Sequence, residues 1–98
     1  MKSIIDNTDY CYICKTFKSR YVQASDTHHC ISGTANRKLA DEDGLTVRLC
    51  RRCHDRLHSN GEYKKELQII AEQKWLEYYD KIVEDFIDRY GKNFLYDL

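Results

Sequence analysis

Residues 50–58 read Cys50-Arg-Arg-Cys53-His54-Asp-Arg-Leu-His58, the densest cluster of potential metal ligands in the chain. It contains no helix breaker, and Gly61 is placed to end a helix just beyond it. Cys50 and Cys53 form a Cys-x-x-Cys pair, whereas His54 and His58 are four residues apart and therefore share one face of a helix. The stretch predicts a helix that supplies ligands to two separate metal sites.

The other ligands lie upstream. The pair Cys11-Tyr-Ile-Cys14 completes a four-cysteine set that can clamp a structural zinc ion, and His28 can join the two helix histidines around a second ion, which leaves His29 free for chemistry. The alternatives are disulfides or a redox dithiol for the paired cysteines, free buried thiols, and a helix histidine that joins the cysteine site or caps the helix. The odd count of five cysteines and the absence of an export signal favour metal, and Cys30 is expected to pack in the core.

Upstream of the helix, the pattern predicts a strand, a loop and a second strand. Residues 9–15 are typical of a tight knuckle, and residues 21–31 favour an extended strand that carries the two adjacent histidines at its end. Residues 32–44 have the glycine, asparagine and aspartate content of a loop, and residues 45–49 alternate as a returning strand. Side chains alternate along a strand, so adjacent histidines can flank one site only where the strand ends.

Downstream of Gly61, apolar residues recur at helical spacing. We expect two helices, over residues 62–79 and 81–90, with Asp80 as an N-cap and Gly91 as the stop, although a single long helix is an alternative. Their apolar face is expected to brace the metal-bound core, and a partner-binding role is the alternative. This face consists of Leu67, Ile70, Ala71, Trp75, Tyr78, Ile82, Phe86 and Tyr90.

The length of 98 residues fits one domain whose small core a structural metal would stabilise. Proline is absent and no linker interrupts the chain. We therefore expect a single α+β domain over residues 1–98, with a metal-bound core at 9–60 and helical support at 62–98.

The charge is unevenly distributed although the formal net charge is zero. Residues 1–61 hold ten basic and seven acidic residues, and residues 62–98 hold six basic and nine acidic ones, so the ligand-bearing part is the basic one. This excess is modest, so any affinity for nucleic acid must come from local placement of basic residues. No apolar run is long enough to span a membrane and the first residues lack a secretory signal, so a cytoplasmic location is expected.

The ligand pattern as a whole resembles the HNH endonucleases, and most of all the short HNH proteins of phages and prophages. The resemblance covers roughly residues 10–95 and depends on the combined spacing, because an isolated Cys-x-x-Cys or His-His pair is weak evidence. The ending Phe86-Ile-Asp-Arg-Tyr-Gly-Lys-Asn-Phe94 is also similar to theirs. The residues that carry the resemblance are His28-His29-Cys30, Gly33, Asn36-Arg37-Lys38, Leu49-Cys50-Arg-Arg-Cys53-His54 and His58.

The resemblance implies a ββα-metal fold that places a divalent ion against a scissile DNA phosphate. By position, His28, His54 and His58 would bind the catalytic ion and His29 would be the general base, since an unperturbed imidazole titrates near neutral pH. The ion would polarise the phosphate, and magnesium, manganese, nickel or zinc are all compatible with the site. The implied products carry a 5′ phosphate and a 3′ hydroxyl.

One departure from the family concerns its middle asparagine, because Gly44 and Leu45 stand where that residue usually precedes the second strand. Asn36 could orient His29 or reach the ion, or could be an ordinary loop residue.

Basic residues in the loop and helix are candidates for contact with the DNA backbone, and solvated charges are the alternative for the loop pair. Aromatic residues near the cysteine site could stack on bases but are expected to pack. The basic candidates are Arg37, Lys38, Arg51 and Arg52, and the aromatic residues are Tyr10, Tyr12, Phe17 and Tyr21.

The leading hypothesis is thus a metal-dependent HNH endonuclease that cuts or nicks DNA with low sequence specificity. The alternatives are a non-catalytic zinc module that binds nucleic acid or protein, and a redox or metal-sensing switch. Family analogy adds phage packaging or recombination proteins as partners, a bacterial or phage-infected cell as the setting, and either a monomer or a homodimer.

Overall fold

A computed structural model of the chain describes residues 2–95, and its centre is a two-stranded antiparallel sheet. Strand β1 (Asp26–His29) pairs with β2 (Thr46–Leu49), with His28 opposite Val47 and His29 opposite Thr46. The predicted α+β class is confirmed at this level. The first strand is shorter than the expected range of 21–31. Residues 21–25 precede it outside the sheet and form only an isolated bridge, between Gln23 and Tyr10.

Five helices complete the described part of the chain. Helix α1 precedes the sheet, α2 lies between the strands in sequence, and α3 follows β2 directly. The bounds are α1 Tyr12–Phe17, α2 Thr34–Asp43, α3 Arg51–Asn60, α4 Lys64–Tyr79 and α5 Val83–Tyr90. No helix within residues 2–95 is long and apolar enough to cross a membrane.

The prediction of a loop over residues 32–44 was wrong, because most of this segment is α2. Its turn-forming glycines mark the two ends of the helix: Gly33 is the N-cap, and Gly44 is a left-handed C-cap with φ 78°. Between them, Leu39 and Ala40 face the core. The predicted knuckle at residues 9–15 likewise runs into a helix, because α1 begins at Tyr12.

The C-terminal region forms two helices as expected, and the single long helix is excluded. The predicted N-cap was wrong. Asp80 is the left-handed C-cap of α4, with φ 53°, and Ile82 is the N-cap of α5. The Ile82 backbone N–H donates to the Asp85 carboxylate at 3.1 Å. Asp85 is the third residue of α5, and its side chain thus supplies the hydrogen-bond acceptor for the N-cap N–H.

The apolar face of α4 and α5 packs against the rest of the core, with Leu67, Trp75 and Phe86 buried. Two members of the predicted face are instead in solvent, because Tyr78 and Ile82 are 60% and 62% exposed at the corner between the helices. The other buried core residues include Ile13, Cys30, Ile31, Leu45, Val47, Leu49, Leu57, Ala71 and Tyr90.

The buried carboxylate of Asp43 ties α2 to both C-terminal helices. It accepts hydrogen bonds from Trp75 Nε1 at 2.8 Å and from the Tyr90 hydroxyl at 2.6 Å, and it pairs with Arg89. The Tyr79 hydroxyl donates to the Asp43 backbone carbonyl at 2.9 Å. Because a buried charge needs several partners, these contacts fix α2 against α4 and α5.

Candidate metal centres

Helix α3 carries ligands for both candidate centres, as its sequence predicted. Cys50 is the N-cap and Cys53 lies in the first turn. Around the helix axis, Cys53 lies about 100° from His54 and about 140° from His58, whereas Cys50 is the N-cap and precedes the helix. The two sets of ligands therefore project from one short helix in different directions.

The four paired cysteines converge in one cluster. The Sγ atoms of Cys11, Cys14, Cys50 and Cys53 all lie within 4.8 Å of one another, and those of Cys14 and Cys53 are 3.6 Å apart. A tetrahedral zinc ion with Zn–S bonds of about 2.3 Å separates its sulfurs by about 3.8 Å. The cluster thus has the donors and the spacing of a tetrahedral metal site, and all five cysteines are free thiols.

Burial and hydrogen bonds shift the pKa values of the clustered thiols in different directions. Burial raises the pKa of the Cys14 thiol and, more strongly, that of Cys53. Burial also acts to raise the pKa of Cys50, but hydrogen bonds from the Cys53 backbone and from neighbouring thiols outweigh it and lower the value. The ammonium of Lys18 lies 3.8 Å from Cys53 Sγ. Several thiolates can coexist in such a buried place only if a cation neutralises them.

His28, His54 and His58 form the second cluster, with one ring nitrogen of each within 4.8 Å of the others. The Nε2 atoms of His54 and His58 are 3.0 Å apart, close to the spacing of about 3.3 Å expected for imidazoles on one tetrahedral zinc ion. Burial, followed by the charges of neighbouring basic groups, lowers the pKa of His28 to about 4. His28 therefore presents a neutral imidazole near neutral pH, the form that binds metal.

Asp26 supports this cluster and was missed in the sequence. Its Oδ2 lies 2.9 Å from His54 Nδ1 and 3.6 Å from Arg51. The contact with His54 lowers the pKa of Asp26, so the carboxylate stays ionised and can hold the proton on Nδ1, which leaves Nε2 for a metal. Period-two alternation was the available signal, since Asp26 and His28 share one face of β1.

His29, the proposed base, lines the same cavity as the three-histidine cluster because it is the last residue of β1. The adjacent histidines thus flank one site at a strand end, as the alternation argument required. His29 Nε2 lies 3.3 Å from the Oδ1 atom of Asp41, a residue of α2. Sequence reasoning missed Asp41, because the segment that carries it was expected to be a loop.

The cavity beside the histidines is open to solvent and has a volume of about 470 Å³. All four histidines line it, together with Arg37 from α2 and Lys64 from the start of α4. None of its lining residues within the described chain is an aspartate or a glutamate.

The other predicted site residues lie elsewhere. Asn36 is not among the lining residues, and its Nδ2 donates to the backbone carbonyl of Tyr90 at 3.0 Å. Lys38 and Arg52 are exposed outside the cavity lining, whereas Arg51 pairs with acidic neighbours beside the histidines.

The aromatic residues near the cysteine cluster divide into two groups. Phe17 stacks on Tyr63 with ring centroids 4.6 Å apart, and Tyr12 is half-buried, as packing residues should be. Tyr10 and Tyr21 contact each other edge to face but are 42% and 72% exposed, so the expectation of packing fails for Tyr21 in particular.

Comparison of the chain with protein-family models, with curated proteins and with solved structures found no match.

Proposed function

We propose that this protein is a metal-dependent endonuclease of the HNH type that hydrolyses DNA phosphodiester bonds. One observation carries the proposal: three histidines with metal-ligand spacing and a fourth histidine line one cavity that also contains two cationic side chains. Three protein ligands that leave an open coordination position are typical of catalytic rather than structural metal sites.

Each residue has a distinct role in this mechanism. His28, His54 and His58 would hold a divalent ion, and this ion would supply polarisation of the phosphate and stabilisation of charge on the departing 3′ oxygen. His29 accepts a proton from the attacking water through its Nδ1 atom, while its Nε2 atom faces Asp41. Asp41 is thus the positioning residue for the base. Asn36 contacts Tyr90 instead, so the mechanism assigns it no catalytic step.

The four-cysteine cluster would hold a structural zinc ion in this proposal. Such an ion cross-links the start of α1 to the start of α3 and so fixes the helix that carries His54 and His58. The core is then a ββα-metal unit, and α4 and α5 support it.

The proposed substrate is DNA, bound through its backbone with little sequence readout. Arg37 is the predicted contact that lies in the cavity lining, and Lys38, Arg51 and Arg52 would touch more distant phosphates. Magnesium, manganese, nickel and zinc are candidate catalytic ions. Phage packaging or recombination proteins, a cytoplasmic setting and a monomeric or homodimeric state are further parts of the same proposal.

The decisive experiment adds each candidate ion to protein that holds zinc at the cysteine cluster only, with supercoiled plasmid as substrate. Nicking or linearisation should require the added ion. His29→Ala should abolish it while calorimetry shows unchanged ion binding, because His29 is the base and not a ligand. Cleavage by His29→Ala at the wild-type rate would remove His29 from the mechanism.

The second candidate function is a non-catalytic zinc module that binds nucleic acid or protein. The observation in its favour is that the Asn36 side chain donates to the Tyr90 carbonyl and does not contact His29. Among the described residues, only the exposed Asp41 is then placed to orient the His29 ring. This function predicts one metal ion per chain and no cleavage with any ion.

A further inference from the structure

Two basic residues of the cavity lining are not neutralised by acidic neighbours. Within residues 2–95, neither Arg37 nor Lys64 has a carboxylate within 4.0 Å. Several other cations of the chain are paired: Lys15 with Asp6, Lys18 with Glu62 and Arg89 with Asp43. The cavity therefore keeps two positive charges available for a ligand.

The composition of the cavity wall is unusual for this chain. The protein has 16 acidic and 16 basic residues, yet the described wall has basic residues and histidines but no carboxylate. The two carboxylates closest to the histidines, Asp26 and Asp41, contact ring nitrogens but are not among the lining residues. Such a wall selects an anion, because an anionic ligand meets no like charge there.

We propose that Lys64 is a substrate-binding residue that contacts a backbone phosphate of the nucleic acid, together with Arg37. This inference depends on the proposed function for the identity of the ligand. It adds a contact from α4, outside the strands and helix that hold the metal ligands, and it distinguishes Lys64 from its neighbour Lys65, which is exposed but not in the cavity lining.

The position of Lys64 explains how α4 contributes to binding. The chain leaves α3 at Gly61, which adopts φ 70°, and the Lys64 N–H donates to the Gly61 carbonyl at 3.1 Å. This turn begins α4 directly after the helix that carries His54 and His58. The two C-terminal helices thereby supply a ligand contact as well as a brace.

The test measures binding rather than cleavage. The affinity of His29→Ala protein, loaded with zinc at both centres, for a fluorescent DNA duplex is followed by anisotropy over a series of salt concentrations. Lys64→Gln is added to this background, with Lys65→Gln as the matched control and Lys64→Arg as the charge-conserving variant. Circular dichroism and zinc content verify that each variant is folded.

Lys64→Gln should weaken binding to all duplex sequences alike and should lower the slope of log affinity against log salt by about 1, the value for one lost phosphate contact. Lys65→Gln should leave the slope unchanged, and Lys64→Arg should restore it. Equal slopes for Lys64→Gln and Lys65→Gln would overturn the inference and leave the nuclease proposal standing. If Lys64→Gln lowered the slope but the wild-type protein cleaved DNA with none of the ions, the contact would be supported and the nuclease proposal refuted. If the protein bound no DNA at all, both proposals would be overturned.

Discussion

At the scale of single residues, two carboxylates contact histidines of the candidate metal centre. Asp26 Oδ2 lies 2.9 Å from His54 Nδ1, and Asp41 Oδ1 lies 3.3 Å from His29 Nε2. Carboxylates in this position raise the basicity of a metal-binding imidazole and fix its orientation, so they are as consequential as the ligands.

Asp26→Asn should weaken ion binding at the three-histidine cluster by about 10- to 100-fold, because the amide no longer holds the His54 proton as a carboxylate does. Calorimetric titration of zinc into protein whose cysteine cluster is already filled measures this effect. Asp55→Asn is the matched control, since it removes the same charge and Asp55 also pairs with Arg51, but Asp55 has no histidine contact in the described chain. Equal affinities in the two variants would show that Asp26 does not support the site.

At the scale of elements, α2 shows how helix ends can resemble a loop in sequence. Gly33 and Gly44 are both in the positive-φ region and lie at the two ends of the helix. Helix α3 is simpler, because its ligand spacing, its lack of a breaker and Gly61 all agree. Local sequence signals predict an element well when they agree with one another, as in α3. In α2 they do not agree, and the helix is stabilised by packing of Leu39 and Ala40 against the core.

Gly44→Ala should destabilise the protein by more than the cost of about 1 to 2 kcal/mol for placing an alanine in a left-handed conformation. The added Cβ would lie 2.5 Å from the Lys2 carbonyl oxygen, a backbone atom, so part of the chain must shift. Gly61→Ala is the control, because Gly61 has a similar φ of 70° but nothing within 4 Å of its Cβ position. Urea unfolding of both variants gives the comparison, and equal losses of unfolding free energy would refute the steric explanation.

At the scale of the whole molecule, one buried carboxylate joins α2 to the two C-terminal helices. Asp43 ends α2 and accepts hydrogen bonds from residues of both α4 and α5. The same α2 carries Arg37 and Asp41, so the position of two cavity groups depends on this contact.

Asp43→Ala should lower the free energy of unfolding by about 1 to 3 kcal/mol or more, because the buried donors of Trp75 and Tyr90 lose their acceptor. Asp88→Ala, an exposed substitution on α5, should cost less than about 0.5 kcal/mol. Chemical denaturation with zinc present measures both. A loss for Asp43→Ala no larger than that for Asp88→Ala would show that the Asp43 carboxylate does not hold the two halves together.

Spacing along the sequence was enough to predict both candidate ligand sets, the helix that carries Cys53, His54 and His58, the burial of Cys30 and the division of the C-terminal region into two helices. These features depend on spacings of a few residues, where helix and strand periodicity dictate which side chains share a face. Three features could not be predicted without the three-dimensional packing: the helix α2, the contacts of Asp26 and Asp41 with histidines, and the positions of Arg37 and Lys64 in the cavity lining. Asp26 is 28 positions from His54 in the chain, and Asp41 is 12 positions from His29. Lys64 lies on a different helix from the histidines. These groups therefore come together only when packing brings distant segments into contact.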